Sequence, residues 1–306
     1  MKKIAIIGTG AMGSIYAALF KEAGHSVVAI DIWEEHINQI NTNGLIIDGA
    51  SGYRKVSGIK AYSDIKKSEN FDIYVISTKA SAVSDVAKKL RGIVKKNSII
   101  LTIQNGLGAG ERISKFLPSE NILLGVAEGF GASIVSAGHI HHNAMRQIRL
   151  GEMNGGITKR LKSIENLWKK AGFNANAFED IHKLIWEKFI CNVFLSAPCT
   201  VFECNIGEIL KNKNLKKIAL GCMMEAYKIG LEKKINFSFS DPEKYVLDFA
   251  KVMPKANPSM RLDHLSERKS EIDSINGMVA KLSKNFKLEA PYNEILSEIV
   301  RQKEKK

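Results

Sequence analysis

A glycine-rich turn close to the N-terminus constrains the fold of this chain more than any other feature of the sequence. Residues 4–7 form an apolar run that predicts a buried strand, and residues 11–22 have the period of a helix. The turn between them contains the complete pattern GxGxxG, which consists of Gly8, Thr9, Gly10, Ala11, Met12 and Gly13. A strand that passes through such a turn into a helix is typical of the first βα unit of a Rossmann domain.

The spacing of the three glycines indicates what the turn binds. The first permits a tight turn, the second lets the backbone approach a pyrophosphate, and the third allows the helix to pack closely on the strand. The N-terminus of the helix then directs N–H groups and a partial positive charge at the phosphates. We therefore expect residues 8–13 to bind a dinucleotide. The alternative is a glycine-rich turn in another α/β fold.

Strand and helix patterns alternate along the rest of the first half. Further strands are predicted at residues 27–30, 72–77 and 98–103, with a helix at residues 82–90 between the last two. Shorter strand-like segments that extend or edge the sheet are predicted at residues 122–126, 138–142 and 147–150. Such repeated βαβ units predict a doubly wound, mostly parallel sheet.

Long helical periods replace this alternation in the second half. Helices are predicted at residues 161–170, 180–197, 215–233, 242–252 and 265–284. The expected fold class is an α/β Rossmann domain followed by an all-α domain. We place the dinucleotide-binding domain at residues 1–178 and the helical substrate and catalytic domain at residues 179–306.

Composition excludes several classes of protein. No apolar run reaches the roughly 18 residues that span a bilayer, so we expect no membrane segment. The cysteines lack a CxxC pair and a histidine at metal-ligand spacing, which predicts reduced core thiols in a cytoplasmic protein. These cysteines are Cys191, Cys199, Cys204 and Cys222.

The formal charge of +13 raises the question of a nucleic-acid partner. The lysines occur as pairs spread along the chain without interleaved aromatic residues, which is typical of solvated helix faces, so no nucleic acid is expected. The positive field would instead attract an anionic substrate. No metal is expected either, because no carboxylate or thiol pattern joins His139, His141 and His142.

A carboxylate at the end of the second strand bears on the choice of dinucleotide. Rossmann proteins that bind NAD place an acidic residue there to accept hydrogen bonds from the ribose hydroxyls, and Asp31 occupies that position. The same carboxylate would repel a 2′-phosphate, which favours NADH over NADPH. The alternative role, an acidic N-cap for a helix at residues 32–40, is compatible with ribose binding.

Three polar residues interrupt the apolar helix predicted at residues 180–197. Lys188, Asn192 and Ser196 recur at intervals of four and therefore lie along one helix face. Removal of water lowers the pKa of a lysine, which would suit Lys188 to donate a proton when hydride reduces a carbonyl. A lysine that extends to solvent along a surface helix remains the alternative.

Two further polar residues are candidates on weaker grounds. Asn105 follows a strand at the edge of the sheet where open α/β folds bind ligands, although an Asn-Gly pair also favours a simple turn. Glu271 by itself resembles an exposed helix residue. Spacing alone does not bring either residue to Lys188.

Six ordered segments of the chain together resemble the ketopantoate reductase family, which reduces 2-dehydropantoate to pantoate on the route to coenzyme A. The resemblance covers nearly the whole chain. The segments are the glycine turn, Ser77-Thr78-Lys79-Ala80, Gln104-Asn105-Gly106-Leu107-Gly108, Trp186-Glu187-Lys188 with Asn192, Pro258-Ser259-Met260 with Asp263, and Glu271-Ile272-Asp273 with Ile275-Asn276-Gly277.

The resemblance implies a role for each candidate residue. Lys188 would donate the proton to the carbonyl oxygen, and Glu271 would hold the hydroxyl of the substrate. Asn192 and Ser259 would form hydrogen bonds with the substrate, and Asn105 would position both substrate and nicotinamide. Lys79 matches a residue that contacts the adenosine end of the cofactor. The substrate would be a small 2-oxo acid, and a homodimer is left open.

The chain departs from the family pattern at three places. Ile32 replaces an arginine that commonly binds the 2′-phosphate of NADPH, so the family favours NADPH whereas Asp31 and Ile32 favour NADH. Ser196 stands where a substrate-contacting asparagine is common, and Asn205 is displaced by one residue from a comparable Asn-Gly pair. Two alternatives therefore stay open: a reductase of another branched or hydroxylated 2-oxo acid, and a non-catalytic NAD-binding regulatory protein.

Overall fold

The computed structural model describes residues 1–305, which divide into two compact units. The first unit comprises Met1–Gln104 and Gly108–Ile181. The second comprises Asn105–Leu107 and the chain from His182 onward. The domain boundary between residues 178 and 179 stays a prediction, and we refer below to the two units.

The first unit is built on one mixed, mostly parallel sheet. Within residues 1–305 it has ten strands, β1 (Lys3–Ile7), β2 (Ser26–Ile30), β3 (Leu45–Gly49), β4 (Arg54–Val56), β5 (Lys60–Tyr62), β6 (Ile73–Ile76), β7 (Ile99–Thr102), β8 (Ile122–Ser136), β9 (His139–Glu152) and β10 (Ala175–Ala177). The strand order is β4-β3-β9-β8-β7-β6-β1-β2-β5, and β10 pairs with β9. The β3–β4 and β8–β9 pairs are antiparallel and the others are parallel. This topology confirms the predicted Rossmann-type α/β fold.

Helices connect the strands of this sheet. They are α1 (Ala11–Glu22), α2 (Glu34–Asn43), α3 (Val83–Leu90), α4 (Ala109–Ser114) and α5 (Lys159–Lys170). Aromatic side chains join α1 to α5, because the ring of Trp168 lies 5.3 Å from that of Tyr16 and 5.0 Å from that of Phe20. All three rings are fully buried, so this cluster anchors both helices to the core.

The second unit is helical, as predicted. Its helices are α6 (Ile181–Val201, whose first residue belongs to the first unit), α7 (Ile206–Lys211), α8 (Lys213–Glu232), α9 (Pro242–Lys251), α10 (Ser259–Leu265), α11 (Asn276–Asn285) and α12 (Pro291–Lys303). Asn205 forms a capping box with Glu208 at the start of α7, which gives this displaced asparagine a structural role.

The helix predicted at residues 265–284 is wrong in its first half. The helix α10 ends at Leu265, a short 3₁₀ turn covers Ile272–Ser274, and α11 begins only at Asn276. Residues 266–271 have no regular structure, because this polar stretch lacks an apolar face that a helix could bury. Glu271 therefore lies at the end of a connecting segment and not within a helix.

The helix α6 is the central element of the second core. It is the one helix within residues 1–305 whose length and composition would suffice to cross a membrane, and 72% of that apolar window is buried inside the protein. It packs among buried apolar residues of α8, α9 and α11. All four cysteines are buried, and none forms a disulfide within residues 1–305, as expected for core thiols.

A buried carboxylate on α5 makes the stability of the first unit depend on pH. Glu165 accepts hydrogen bonds from the ammonium groups of Lys162 and Lys169, each at 2.8 Å. These hydrogen bonds lower the pKa of Glu165 from 4.5 to about 2, and the bond from Lys162 has the largest effect. Because the pKa is lower in the folded than in the unfolded chain, the stabilisation is complete above the unfolded value and disappears as the pH falls through the folded value.

We expect Glu165→Gln to lower the free energy of unfolding at neutral pH and to flatten its decline between about pH 5 and pH 2. Urea denaturation across this range measures both effects. Glu232→Gln, at an exposed position on α8, serves as the control and should keep the slope of the wild type. An identical slope for Glu165→Gln and the wild type would contradict the prediction.

Candidate functional site

At two positions of the glycine turn, neighbouring atoms of the protein leave no space for a side chain. Gly8 has a φ of +88°, and a Cβ there would lie 2.6 Å from the backbone nitrogen of Thr78. A Cβ at Gly13 would lie 2.0 Å from the carbonyl oxygen of Gly8. The first turn of α1 thus packs directly against the end of β1, as the sequence predicted for the third glycine.

Gly10 differs from the other two glycines of the turn. Its φ of −73° is ordinary for any residue, and a Cβ there would have no atom within 4 Å. No side chain caps the start of α1, and its first turn holds no acidic residue. Gly10 therefore borders open space beside uncapped N–H groups of Ala11 and Met12, an arrangement that fits the diphosphate of a dinucleotide.

Buried hydrogen bonds stabilise the glycine turn. The hydroxyl of Ser14 donates to the carbonyl oxygen of Thr9 (3.0 Å) and contacts Nε2 of His36 (3.1 Å), while the Gly138 N–H donates to Nδ1 of His36 (2.9 Å). Since Nδ1 accepts, Nε2 carries the proton and donates to Ser14. Burial lowers the pKa of His36, which favours this neutral form.

The end of β2 presents a carboxylate and an exposed apolar side chain. Oδ1 of Asp31 accepts hydrogen bonds from the N–H groups of Ile32 (2.8 Å) and Trp33 (3.0 Å). These residues precede α2, whose N-cap is Trp33, so the alternative of Asp31 as the N-cap is wrong. The side chain of Ile32 is 92% exposed. An exposed isoleucine gives a 2′-phosphate no partner at this point.

The segment after β6 forms the opposite wall of the glycine turn. The Ser77 hydroxyl donates to the carbonyl oxygen of Gly8 at 2.8 Å, and the exposed Lys79 precedes a 3₁₀ turn at Ala80–Ala82. The buried Oγ1 of Thr78 has no hydrogen-bond partner among residues 1–305. A buried hydroxyl without a partner beside the turn is what a bound polar ligand would satisfy.

In the second unit, the structure brings Lys188 and Asn105 together across 83 residues of sequence. Nζ of Lys188 donates a hydrogen bond to Oδ1 of Asn105 at 2.8 Å. Two residues later, the Leu107 N–H donates to the carbonyl oxygen of Ser274 at 3.0 Å. Glu271 lies three residues before Ser274. An ammonium group, an amide and the segment that carries a carboxylate therefore meet in this unit.

The polar stripe of α6 runs from a partly exposed to a buried end. Lys188 and Asn192 are half-buried, whereas Ser196 is only 3% exposed. The neighbouring Glu187 is buried and accepts a hydrogen bond from the Ser238 N–H at 2.7 Å, which orients this part of α6. Ser259 is the exposed first residue of α10.

Sequence reasoning missed two polar groups next to Ser259. Oδ1 of Asn257 and Nη1 of Arg261 are buried and have no hydrogen-bond partner within residues 1–305. The sequence holds no signal for them beyond their closeness to the Pro258-Ser259-Met260 motif. A polar ligand near Ser259 would satisfy groups of this kind.

The structure corrects one premise about the histidines of β9. Asp48 on β3 does join two of them, since one carboxylate oxygen lies 2.8 Å from Nε2 of His139 and the other lies 2.5 Å from Nδ1 of His141. These hydrogen bonds lower the pKa of Asp48. Each imidazole faces a different oxygen, and no group of three potential ligands within residues 1–305 could hold a metal ion.

Models of one enzyme family match both parts of the chain. Residues 4–155 match the model described as "Ketopantoate reductase PanE/ApbA", and residues 180–304 match "Ketopantoate reductase PanE/ApbA C terminal". A 2-dehydropantoate 2-reductase of Streptococcus pyogenes serotype M18 is 27% identical over 300 residues, which cover 98% of this chain and 97% of the relative. A 2-dehydropantoate 2-reductase of Nostoc sp. is 29% identical over 284 residues, covering 90% and 87%.

Solved structures of the same architecture include a dehydrogenase and a reductase. D-mandelate dehydrogenase with NADH and anilino(oxo)acetate is 27% identical, with a TM-score of 0.90 and coverage of 99% of this chain and 98% of that one. The 2-dehydropantoate 2-reductase of Geobacter metallireducens GS-15 is 26% identical, with a TM-score of 0.90 and coverage of 98% and 99%.

Substitution of Gly10 separates ligand binding from folding. Because a Cβ at this position meets no protein atom, we expect Gly10→Ala to keep the melting temperature of the wild type. The methyl group would occupy the open space beside α1, so the affinity for NADH and NADPH should fall by roughly tenfold or more, about 1.4 kcal/mol.

Fluorescence titration with each dinucleotide measures this effect. Gly92→Ala is the matched control, because its Cβ also has no atom within 4 Å and its φ is not positive. It should change neither stability nor affinity. Unchanged affinity in Gly10→Ala would show that no ligand passes close to this residue.

Proposed function

The chain belongs to the ketopantoate reductase family and is an oxidoreductase, and from that premise we propose that it reduces 2-dehydropantoate to pantoate. The observation that carries the proposal is the hydrogen bond from Lys188 to Asn105, in the unit that also holds Glu271. The relatives from Streptococcus pyogenes and Nostoc sp., both named 2-dehydropantoate 2-reductase, support this substrate.

Lys188 is the proton donor in this proposal. A bound nicotinamide dinucleotide would supply the hydride for the carbonyl carbon of the substrate. Negative charge then develops on the carbonyl oxygen, and Nζ of Lys188 donates a proton to it, leaving an amine that solvent protonates again. The Asn105 oxygen accepts from the same ammonium group and so limits the directions in which Lys188 points.

The remaining candidates bind and orient the 2-oxo acid. Glu271 accepts a hydrogen bond from the substrate hydroxyl, and Asn192 and Ser259 form hydrogen bonds with other oxygens of the substrate. Ser196 presents a shorter side chain than the asparagine common at its position. Loss of an amide there removes a hydrogen-bond donor and leaves more space.

For the cofactor we propose a preference for NADH. The carboxylate of Asp31 suits the ribose hydroxyls, and the exposed Ile32 offers no charge to a 2′-phosphate. The likeness to a dehydrogenase whose structure holds NADH supports this choice. The positive charge of Lys79 would attract a 2′-phosphate and so favour NADPH, but the negative charge of Asp31 would repel that phosphate.

A second candidate function is the reduction of another 2-oxo acid, such as one with an aryl group. The structural likeness to D-mandelate dehydrogenase favours it, as does the replacement of an amide by the smaller Ser196. Both candidates use the same Lys188 chemistry, whereas a non-catalytic NAD-binding protein would give Lys188 no role. The four buried thiols fit the proposed cytoplasmic location.

Oxidation of NADH and NADPH with 2-dehydropantoate tests substrate and cofactor together. We expect turnover with a higher kcat/KM for NADH, and Ile32→Arg should shift the preference toward NADPH by roughly tenfold, since it supplies a cation for the 2′-phosphate. An aryl 2-oxo acid is the comparison substrate. Turnover of that acid alone would replace 2-dehydropantoate by the second candidate, and a higher kcat/KM for NADPH would contradict the role of Asp31.

Removal of Lys188 tests the mechanism. We expect Lys188→Ala to lower kcat by about a hundredfold or more, the scale of a lost general acid, with nearly unchanged affinity for the dinucleotide. Lys228→Ala, at an exposed position on α8, is the control and should keep kcat. Steady-state kinetics and dinucleotide titration provide the two readouts, and an unchanged kcat would disprove the assignment.

A further inference from the structure

A buried amide bridges two backbone groups of the helix that carries the polar stripe. Nδ2 of Asn276 donates to the carbonyl oxygen of Val193 at 3.0 Å, and its Oδ1 accepts from the Ala197 N–H at 3.3 Å. In a regular helix these two backbone groups bond each other. Asn276 therefore engages both partners of one helical hydrogen bond in α6, and its own side chain is fully buried.

The bridged turn lies beside a proline that interrupts the backbone hydrogen bonding of α6. Pro198 lies inside the helix, directly after Ala197. A proline has no N–H to donate to the residue four positions earlier, and its ring presses on that carbonyl group. Side chains that insert between backbone groups commonly accompany bends at such places. Asn276 thus supports α6 at the turn that separates Asn192 from Pro198.

The segment that contains Asn276 also carries or contacts the other groups of the candidate site. Glu271 lies five residues before Asn276 and directly precedes the 3₁₀ turn at Ile272–Ser274. The carbonyl oxygen of Ser274 accepts from the Leu107 N–H, two residues after Asn105. The segment from Glu271 to Asn276 therefore contacts both the tripeptide that contains Asn105 and the helix that contains Lys188.

The orientation of the Asn276 amide is fixed from its other side. Nδ2 also donates to Oδ1 of Asn293 at 2.8 Å, so both donor hydrogens and the acceptor of Asn276 are used. Asn293 in turn donates to the carboxylate of Glu225 at 2.6 Å and to the Cys222 carbonyl oxygen at 2.9 Å. Burial raises the pKa of Glu225, the titratable group in this network.

We propose that Asn276 is a positioning residue for the reduction. It holds the substrate face of α6 in register with the segment of Glu271, and it acts through the α6 backbone without touching the substrate. This inference rests on the proposed function for the roles of Lys188 and Glu271. The bridge needs a hydrogen-bond donor and an acceptor on one short side chain; alanine supplies neither, and an ionised aspartate supplies only the acceptor.

Asn276→Ala tests the bridge against a merely structural role. We expect the KM for the 2-oxo acid to rise by at least about tenfold and kcat to fall, with unchanged dinucleotide affinity, because the binding turn lies in the first unit. Val246→Ala is the matched control, since it removes buried volume from α9 and lowers stability without touching the α6 backbone bridge. Its KM should remain that of the wild type.

Asn276→Asp provides a second test in a side chain of nearly the same shape. The ionised carboxylate cannot donate to Val193, whereas the protonated acid can donate there and accept from Ala197. Burial raises the pKa of such a carboxyl group. The ratio of kcat/KM between this variant and the wild type should therefore rise as the pH falls, by up to about tenfold per pH unit.

Several outcomes would overturn the proposal. One is a KM in Asn276→Ala that matches the KM of Val246→Ala within about twofold. Another is a ratio of kcat/KM between Asn276→Asp and the wild type that does not change with pH. This second measurement decides the matter if Asn276→Ala does not fold. If the wild type reduces no 2-oxo acid, the proposed function fails by itself. In that case hydrogen exchange tests the bridge. Exchange around Ala197 should be faster in Asn276→Ala than in the wild type, and Val246→Ala should not accelerate it.

Discussion

The close approach of α1 to the end of β1 is the constraint on which the first unit depends. Gly13 leaves no space for a Cβ because the carbonyl oxygen of Gly8 lies where that atom would be. The contact fixes the direction in which α1 leaves the sheet, and the buried ring of Tyr16 on α1 then packs against Trp168 on α5. A single steric requirement thus connects the glycine turn with the aromatic core.

Local patterns in the sequence predicted much of this unit, and pairing over long distances explains the rest. The bounds of α1 agree with the prediction, since apolar period and glycine placement act within a few residues. The strand β8 continues ten residues beyond its predicted end at residue 126, and β9 joins the segments predicted at residues 138–142 and 147–150, because the two strands pair with each other along their length. The short strands β3 and β5 were missed because their partners, β9 and β2, are distant in sequence.

In the candidate site, too, local sequence patterns predicted one feature, and contacts between distant residues account for the others. The interval of four residues from Lys188 to Asn192 predicted a common helix face, and both residues lie partly exposed on α6. The meeting of Lys188 with Asn105 and the bridge from Asn276 join residues 83 and 79 positions apart, which no local period encodes. The helix predicted at residues 265–284 included Glu271, so the connecting segment that carries Glu271 was not predicted.

The placement of Asn105–Leu107 in the second unit has a consequence for how the protein is made. This tripeptide is flanked in sequence by Gln104 and Gly108, which belong to the first unit. The chain therefore passes between the units three times, and a fragment that starts at His182 contains Lys188 but not Asn105, to which Lys188 donates a hydrogen bond. During synthesis Asn105 emerges from the ribosome long before Lys188, so neither half of the chain contains the complete hydrogen-bonded pair.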